Sequence, residues 1–300
     1  MYLYHFGFRQ LPFALTPDTN LFCALPSHLE AFNTLKFSLL SGEAFCKITG
    51  EVGSGKTLLC RLLINKIHKK RKVAYIPNPV LSSKELKLAL ANELNIRITK
   101  NTGEEQIIPK IQKKLVEINE KSGSVILIID EAQAMPEETL ETLRLFTNLE
   151  TEKSKLIQIV LFGQPELNEK LEKKSLRQLR QRIAFSYQLK PLNYNQTKAY
   201  IIHRLKSVSN GMPKISFSVG AYFFIHYASR GIPRLVNVLS HKSIMLAYGK
   251  SQKKINVRSV FQAIRDTEDT WSMSKARRWI YTSLAFGLFS GGAFAFWGIS

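Results

Sequence analysis

One stretch of the sequence has residue types and a spacing suited to phosphate chemistry: Gly-Glu-Val-Gly-Ser-Gly-Lys-Thr, residues 50–57. It matches the pattern G-x-x-x-x-G-K-[ST] at every fixed position. The glycines allow backbone conformations in which successive N–H groups turn toward phosphate oxygens. Lys56 supplies charge for the β- and γ-phosphates, and the Thr57 hydroxyl is a hard oxygen ligand for Mg²⁺. We therefore expect a nucleoside triphosphate to contact Gly50, Glu51, Val52, Gly53, Ser54, Gly55, Lys56, Thr57 and Leu58. A glycine-rich turn before a helix is the alternative interpretation.

A pair of acidic residues, Asp130 and Glu131, directly follows the run Val-Ile-Leu-Ile-Ile. Five consecutive aliphatic residues between turn residues predict a strand buried on both faces. In open α/β sheets, ligands bind at the carboxyl ends of the strands, which is where this pair falls. Asp130 is placed to hold the Mg²⁺ shell, and Glu131 can polarise the water that attacks the γ-phosphate. Adjacent acids are also common at helix starts, so the prediction depends on their position after a buried strand.

Other polar residues could reach the same phosphates. Gln164 follows the predicted strand 156–162, where its amide can sense the γ-phosphate or orient water, although a polar turn residue is an equal alternative. Arg234 follows Gly231-Ile-Pro at a helix start and could reach the phosphates when a lid closes. Helix N-termini do not favour arginine electrostatically, which supports a functional interpretation.

Three arginines, Arg177, Arg180 and Arg182, lie in the run 175–183. Arg177 and Arg180 are one helical turn apart on one face, whereas Arg182 points elsewhere. A solvated basic helix is the default interpretation of such a run. A phosphate-directed arginine becomes attractive because a nucleotide site is already predicted, and a finger acting on another subunit would require oligomerisation.

Strands and helices alternate along the first two thirds of the chain and give way to helices alone, which predicts an α/β domain followed by a helical lid. The predicted strands are 44–49, 72–76, 124–129, 156–162 and 184–189. The helices predicted between them are 27–40, 58–68, 82–94, 104–118 and 136–149, and those of the lid are 195–208, 218–229, 233–248 and 257–267.

Composition limits the class of partner. The 300 residues include 43 Lys and Arg against 23 Asp and Glu, a net charge of +20, which favours nucleotides, nucleic acid or an anionic membrane. Charge alone does not choose among the three. Cys23, Cys46 and Cys60 form no C-x-x-C pair, which indicates a reducing compartment and small core residues rather than a metal site. No metal other than magnesium is expected.

Residues 279–299 contain no charged side chain. About twenty helical residues at 1.5 Å each reach roughly the 30 Å of a bilayer core. Lys275, Arg277 and Arg278 precede the segment and would hold that flank in the cytoplasm. We therefore predict a single transmembrane helix, with an apolar amphipathic or buried helix as the alternative. The expected domains are 1–191 for nucleotide binding, 192–270 for the lid, 271–278 for a basic juxtamembrane linker and 279–299 for the membrane helix.

Together these motifs resemble the AAA+ ATPases of the general secretion pathway protein A family. The resemblance covers most of residues 1–270 and rests on residues 50–57, Asp130-Glu-Ala-Gln, Gly163-Gln-Pro-Glu-Leu, Leu176-Arg-Gln-Leu-Arg-Gln-Arg-Ile and Gly231-Ile-Pro-Arg, with a Phe-Gly-Phe opening. Within the family, the short form with a membrane segment near its C-terminus looks most like the MSHA pilus biogenesis branch. The resemblance implies an α/β P-loop fold whose five-stranded parallel sheet has the strand order 5-1-4-3-2.

The resemblance also implies roles for individual residues, with ATP and Mg²⁺ as cofactors. It implies Lys56 and Thr57 as Walker A, Asp130 and Glu131 as Walker B, Gln164 as sensor 1, Arg180 or Arg182 as arginine finger, and Arg234 as sensor 2. It further implies a homo-oligomer, such as a ring, in which the active site is shared between subunits.

Two functions of different classes follow. The leading hypothesis is a single-pass ATPase of the bacterial inner membrane, with its ATPase domain in the cytoplasm, that helps to assemble a type IV, MSHA-like pilus or a type II-like secretion machine. Its partners would be inner-membrane and secretin-assembly proteins, with nucleic acid disfavoured. The alternative is a DNA-directed AAA+ regulator resembling transposition ATPases, which has no use for a membrane helix. A nucleotide switch that barely hydrolyses ATP is a third possibility, against which Glu131 argues.

Overall fold

The computed structural model describes residues 2–67, 70–99, 102–152, 154–209, 211–268 and 270. The predicted linker 271–278 and the predicted membrane helix 279–299 lie outside these described residues. Among the residues that are described, no helix has the length and apolar character needed to span a bilayer. The chain divides into two compact units: residues 16–190, here called the α/β unit, and the residues up to Leu15 together with those from Pro191 onward, here called the helical unit.

A five-stranded parallel sheet is the centre of the α/β unit. Its strands are β1 (Phe45–Thr49), β2 (Val73–Ile76), β3 (Val125–Ile129), β4 (Ile157–Gly163) and β5 (Ile183–Gln188). Their order, β2-β3-β4-β1-β5, confirms the order predicted from the resemblance when it is read from the other edge. At the end of β1, Thr49 is in register with Gly163 of β4 and with Gln188 of β5. The residues that follow β1 and β4 therefore meet at one edge of the sheet.

The central strand β3 is buried on both faces, as its aliphatic run predicts. Val125, Leu127 and Ile129 pack into the apolar cluster on one side of the sheet. Ile126 and Ile128 pack into the cluster on the other side. Helices cover both faces, so every side chain of this strand contributes about 1.5–3 kcal/mol through burial. The result is a rigid support for the two acids that follow the strand.

The helices of the α/β unit include all five that were predicted, with different ends, and one short helix at 166–171 that was not predicted. They are α2 (Pro26–Leu40), α3 (Lys56–Ile67), α4 (Ser83–Glu93), α5 (Glu104–Ser122), α6 (Glu137–Phe146), α7 (Glu166–Leu171) and α8 (Arg177–Gln181). Helix α5 runs four residues beyond the predicted end because Gly123, with φ of 77°, ends it in the left-handed region. Helix α6 stops at Phe146 because the Thr147 hydroxyl donates to the carbonyl of Arg144 at 2.7 Å and caps the last turn.

The helical unit consists of α1 (Tyr2–Phe6), α9 (Tyr194–Val208), β6 (Ser216–Phe217), α10 (Val219–Ser229), α11 (Pro233–Gly249), β7 (Lys254–Ile255) and α12 (Val257–Arg265). The last four long helices were predicted. The short parallel pair β6–β7 was not, because two residues per strand leave no recognisable alternation. The division near residue 191 lies one residue from the expected boundary.

The N-terminal segment corrects the expected domain 1–191. Residues up to Leu15 pack in the helical unit rather than in the α/β unit. The buried Arg204 side chain donates to the carbonyl of Pro12 at 2.6 Å, and the Arg9 N–H donates to the carbonyl of Val208 at 2.8 Å. Phe13 is buried with its ring edge-on to Phe217. The aromatic residues at the start of the chain therefore form part of the core of the helical unit, whose other residues begin at Pro191.

Candidate nucleotide-binding site

The loop between β1 and α3 has the backbone that phosphate binding requires. At Gly55 the φ angle is 100°, and a Cβ atom there would lie 2.9 Å from Nε2 of His28. At Gly50 a Cβ atom would lie 2.7 Å from the Ser54 hydroxyl and 2.9 Å from Cβ of Leu189. Glycine is therefore needed at position 55 for conformation as well as space, and at position 50 for space alone.

Lys56 is the first residue of α3, and only 4% of it is exposed. Its Nζ donates to the carbonyls of Gly50 at 2.7 Å and Glu51 at 3.0 Å. Burial lowers the pKa of this ammonium group, and the nearby carboxylates of Glu131 and Asp130 oppose that shift. The loop thus encloses a positive charge bound only to neutral carbonyls, an environment that an anionic phosphate fits.

Thr57 and Asp130 meet beside this loop. The Thr57 hydroxyl hydrogen-bonds the Asp130 carboxylate, which is 3% exposed. Burial raises the pKa of Asp130, while the bonds from Thr57 and from the Glu131 N–H, at 3.0 Å to Oδ1, oppose the rise. Mg²⁺ is usually held by one or two protein oxygens together with water and phosphate. This hydroxyl–carboxylate pair fits that ligand set.

Glu131 is held by two side-chain amides. Its backbone is left-handed, with φ of 53°, directly after β3. Its Oε2 accepts hydrogen bonds from Nε2 of Gln133 at 2.6 Å and from Nε2 of Gln164 at 3.1 Å. Gln164 also donates its N–H to Oε1 of Gln133 at 3.0 Å, which closes the triangle. Among the described residues, the other carboxylate oxygen, Oε1, has no hydrogen-bond partner and is available to a ligand.

The amide triangle determines the protonation state of Glu131. Burial raises the pKa of its carboxyl, but the hydrogen bonds from Gln133 and Gln164 and the charge of Lys56 outweigh that effect and hold the pKa below its ordinary value. The carboxylate is therefore ionised at neutral pH. A group that activates water must offer a negatively charged oxygen that can accept a proton, and Oε1 of Glu131 is such an oxygen.

Gln133 is a site residue that the sequence-based prediction missed. It is the last residue of the Asp-Glu-Ala-Gln motif, and its place two residues after Glu131 is the signal in the sequence that marks it. Nζ of Lys170, from α7, donates to the carbonyls of Gln133 at 2.6 Å and Met135 at 2.7 Å. The turn that carries Gln133 is thereby fixed to the helix that follows Gln164.

His28 is a second residue that prediction missed, since nothing in α2 marks it by type or spacing. It is 5% exposed, and its Nε2 bonds the carbonyl of Ser54 in the phosphate loop at 2.9 Å. Its Nδ1 is buried without a hydrogen-bond partner in the described structure. A carbonyl oxygen can only accept a hydrogen bond, so Nε2 of His28 carries the proton. His28 is thus a neutral ring that donates to the backbone of the phosphate loop.

His28 gives the stability of the protein a pH dependence. Burial lowers its pKa below 6.5, and the bond to Ser54 only partly opposes this. The unfolded chain then binds more protons than the folded chain below about pH 6.5, so the free energy of unfolding falls as the pH falls through that range. We expect His28→Gln, whose amide can still donate to Ser54, to make the fall shallower. Some slope remains, because burial also lowers the pKa values of His226 and His241.

The measurement is urea unfolding at pH values from about 5 to 7.5, where the histidine charge changes. His5→Gln, at an exposed position, provides the comparison variant, because it removes one histidine and keeps His28 in place. An unchanged slope for His28→Gln would contradict the assignment of a buried neutral ring.

The candidate arginines are not brought to the phosphate loop within this chain. Arg180 and Arg182 precede β5, whose first residue, Ile183, is in register with the first residue of β1. The loop follows the last residue of β1, roughly 13 Å away at 3.3 Å per residue. Arg182 is half-buried and donates to the Thr147 hydroxyl at 2.5 Å. Arg180 is exposed, and within the described part of the chain it has no polar partner.

Arg234 lies in the helical unit, at the second position of α11. It is exposed, and it follows Gly231, whose φ is 72° and whose added Cβ would lie 2.0 Å from the carbonyl oxygen of Leu192. The tight turn before the helix is therefore specific to glycine. It presents Arg234 to solvent on the first turn of α11.

Residues 39–171 match the family model described as an AAA domain. This range includes the phosphate loop, both acids after β3 and Gln164. This part of the chain is therefore similar to AAA domains. The α/β P-loop fold with a five-stranded parallel sheet, predicted from the sequence, is thus confirmed.

The chain is also related to general secretion pathway protein A of Aeromonas hydrophila. The two are 36% identical over 255 residues, which cover 85% of this chain and 46% of that protein. The chain therefore spans about half the length of this curated relative.

Two solved structures have a fold similar to that of this chain. Cdc6p from Pyrobaculum aerophilum superposes with a TM-score of 0.66 at 19% identity, covering 86% of this chain and 71% of that one. The ORC1 protein of Aeropyrum pernix, solved in complex with DNA, gives a TM-score of 0.64 at 19% identity, with 87% and 70% covered. At this level of identity the likeness concerns the fold alone.

Proposed function

We propose that this protein is a Mg²⁺-dependent AAA+ ATPase that uses hydrolysis to support assembly of a type IV, MSHA-like pilus or a type II-like secretion machine. The proposal of ATP hydrolysis rests on the position and hydrogen bonds of the Glu131 carboxylate. Two amides hold it beside Lys56, and its free Oε1 lies at the edge of the sheet where the phosphate loop begins.

The residues around the loop divide the work. When bound, Mg²⁺-ATP would supply the γ-phosphate that water attacks, with ADP as the leaving group. Lys56 would exchange its bonds to the Gly50 and Glu51 carbonyls for bonds to phosphate, and Thr57 and Asp130 would provide oxygen ligands for the cation. Glu131 accepts the proton of the attacking water at Oε1. Gln133 and Gln164 keep that carboxylate oriented, and Gln164 in this role is sensor 1.

We further propose a homo-oligomer in which Arg180 acts on the site of a neighbouring subunit. Arg180 lies near the end of the sheet where β1 begins, whereas the phosphate loop of the same chain follows the other end of β1. No partner in the described structure restrains the Arg180 side chain. Arg182 is the weaker candidate, because its guanidinium group is already bonded to Thr147. Arg234 is proposed as sensor 2 from the lid. Positive charge from these arginines would stabilise charge that develops during phosphoryl transfer.

The membrane and secretion parts of the proposal have other support. The relative from Aeromonas hydrophila is named for the general secretion pathway. The uncharged segment 279–299 and the preceding Lys275, Arg277 and Arg278 suit a single anchor in the inner membrane, with the ATPase in the cytoplasm. Pilus or secretion proteins of the inner membrane and of secretin assembly are the proposed partners.

The alternative is a DNA-directed AAA+ regulator. The net charge of +20 favours it, because phosphate-backbone binding depends on cationic side chains. The test is phosphate release by the full chain with and without duplex DNA, together with membrane fractionation of cells. Turnover independent of DNA, with the chain in the inner membrane, supports the proposal. Strong stimulation by DNA, with the chain in the supernatant, would replace it with the alternative.

A further inference from the structure

The positive charge of the helical unit is almost free of acidic neighbours. Residues 191–265 contain twelve Lys and Arg and no Asp or Glu. Ten of the twelve are exposed: Lys198, Lys206, Lys214, Arg230, Arg234, Lys250, Lys253, Lys254, Arg258 and Arg265. Within the described part of this unit, the one ion pair joins Lys242 to Asp266 at 2.7 Å. The ten exposed cations therefore form a surface on which none is in an ion pair within the described residues.

Five of these cations are grouped around the β6–β7 pair, and we call the group Lys214, Lys250, Lys253, Lys254 and Arg258 the basic end. Ser216 pairs with Lys254, and the Ser216 N–H donates to the carbonyl of Lys253 at 3.1 Å. This pairing places Lys214, two residues before Ser216, beside the segment that contains Lys253. Lys250 directly follows α11, and Arg258 lies in the first turn of α12.

An apolar side chain projects from the same end. Met212, two residues before Lys214, is 89% exposed. It lies between Gly211, with φ of 91°, and Pro213, whose ring fixes its own φ. Single exposed apolar residues are ordinary on protein surfaces. A flexible thioether at the tip of a loop, next to a group of unpaired cations, is the combination that binds the boundary between lipid headgroups and acyl chains.

We propose that the basic end is a docking surface for an anionic lipid bilayer. The five cations contact headgroup phosphates, and Met212 inserts into the boundary beneath them. Nucleic acid would match the cations, but its phosphate backbone offers no apolar layer for Met212. Lipid supplies both layers, which is why the observations favour a membrane.

The short distance along the chain between the helical unit and the proposed membrane anchor also supports docking. This argument, unlike the others, rests on the proposed function. Eight residues lie between Thr270 and the predicted helix 279–299. Fully extended, they span at most about 30 Å. An anchored chain would therefore keep the helical unit close to the inner leaflet, where docking could hold it in one orientation.

The test measures insertion of position 212 rather than overall attachment, so a C-terminal anchor does not obscure it. The full chain carries Met212→Cys labelled with a polarity-sensitive fluorophore. Cys46 and Cys60 are buried, and labelled wild type measures the background from Cys23. We expect a blue shift with vesicles of phosphatidylglycerol and phosphatidylcholine, and none with phosphatidylcholine alone.

Charge reversal provides the comparison. Adding Lys253→Glu, Lys254→Glu and Arg258→Glu to the labelled chain should raise the lipid needed for the blue shift about 100-fold, since each cation near an anionic surface contributes measurably. The matched control is Lys84→Glu, Lys113→Glu and Lys121→Glu, an equal charge change at exposed positions of the α/β unit, for which the shift should remain. Phosphate release should stay at the wild-type rate in both triple variants, which separates this test from that of the proposed ATPase.

Three outcomes would overturn the proposal. One is an equal blue shift with both kinds of vesicle, and another is equal loss in the control triple variant. The third is binding of a 40-base-pair duplex in preference to vesicles, lost with the same reversal at positions 253, 254 and 258, which would assign the basic end to nucleic acid.

Discussion

Replacing Glu131 with Gln should lower the rate of phosphate release by about 10²- to 10⁴-fold, the usual contribution of a general base, and should leave nucleotide affinity nearly unchanged. The substitution retains size and an oxygen that can accept from Gln133 or Gln164, but it removes the basic Oε1. Thr57, Asp130 and Lys56 keep their places, so binding persists while the attacking water loses its proton acceptor.

The measurement pairs single-turnover phosphate release with titration of a fluorescent ATP analogue. Glu138→Gln is the matched control, because Glu138 is exposed in the first turn of α6 and makes no side-chain hydrogen bond in the described structure. It should retain wild-type turnover. Release by Glu131→Gln at a rate near that of the wild type would reject Glu131 as the activating group, and loss of nucleotide affinity would show that it acts in binding instead.

The parts of this site that sequence predicts well depend on local rules. The run from Val125 to Ile129 is buried whatever surrounds it, because a strand covered on both faces must be aliphatic throughout. The phosphate loop is equally local, since its glycines and Lys56 act within eight residues. The places of these residues in the fold can therefore be predicted without knowledge of any contact between distant positions.

The parts that escaped prediction depend on contacts between distant positions. His28 meets Ser54 across 26 residues, and Arg204 meets Pro12 across 192. No periodicity encodes such pairs, so the support under the loop and the correct unit for the N-terminus emerged only from the structure. The same holds for the two arginines, because the Thr147 contact that separates Arg182 from Arg180 bridges 35 residues.

The second large effect is expected at Arg180, whose removal tests whether active sites are shared. Arg180→Ala should bind nucleotide but lose turnover by about 10³-fold or more, the range found for arginine fingers. Lys56→Ala should lose tight nucleotide binding, because the loop then lacks its only cation. Each variant alone should therefore be inactive: Arg180→Ala because it lacks the finger, and Lys56→Ala because it does not bind nucleotide.

Mixing the two variants should restore activity if Arg180 acts on a neighbour. A Lys56→Ala subunit then contributes its intact Arg180 to an Arg180→Ala subunit with an intact loop. With random assembly at equal amounts, about one interface in four has this arrangement, so turnover should approach a quarter of the wild-type rate.

Arg177→Ala is the matched control, since Arg177 is exposed one helical turn earlier and should retain activity unmixed. Thermal unfolding of each variant checks that the subunits are folded before they are combined. No gain in turnover at any mixing ratio would exclude Arg180 as a finger acting between subunits. Full activity of Arg180→Ala alone would reject Arg180 and leave Arg182 as the remaining candidate for a finger that acts between subunits.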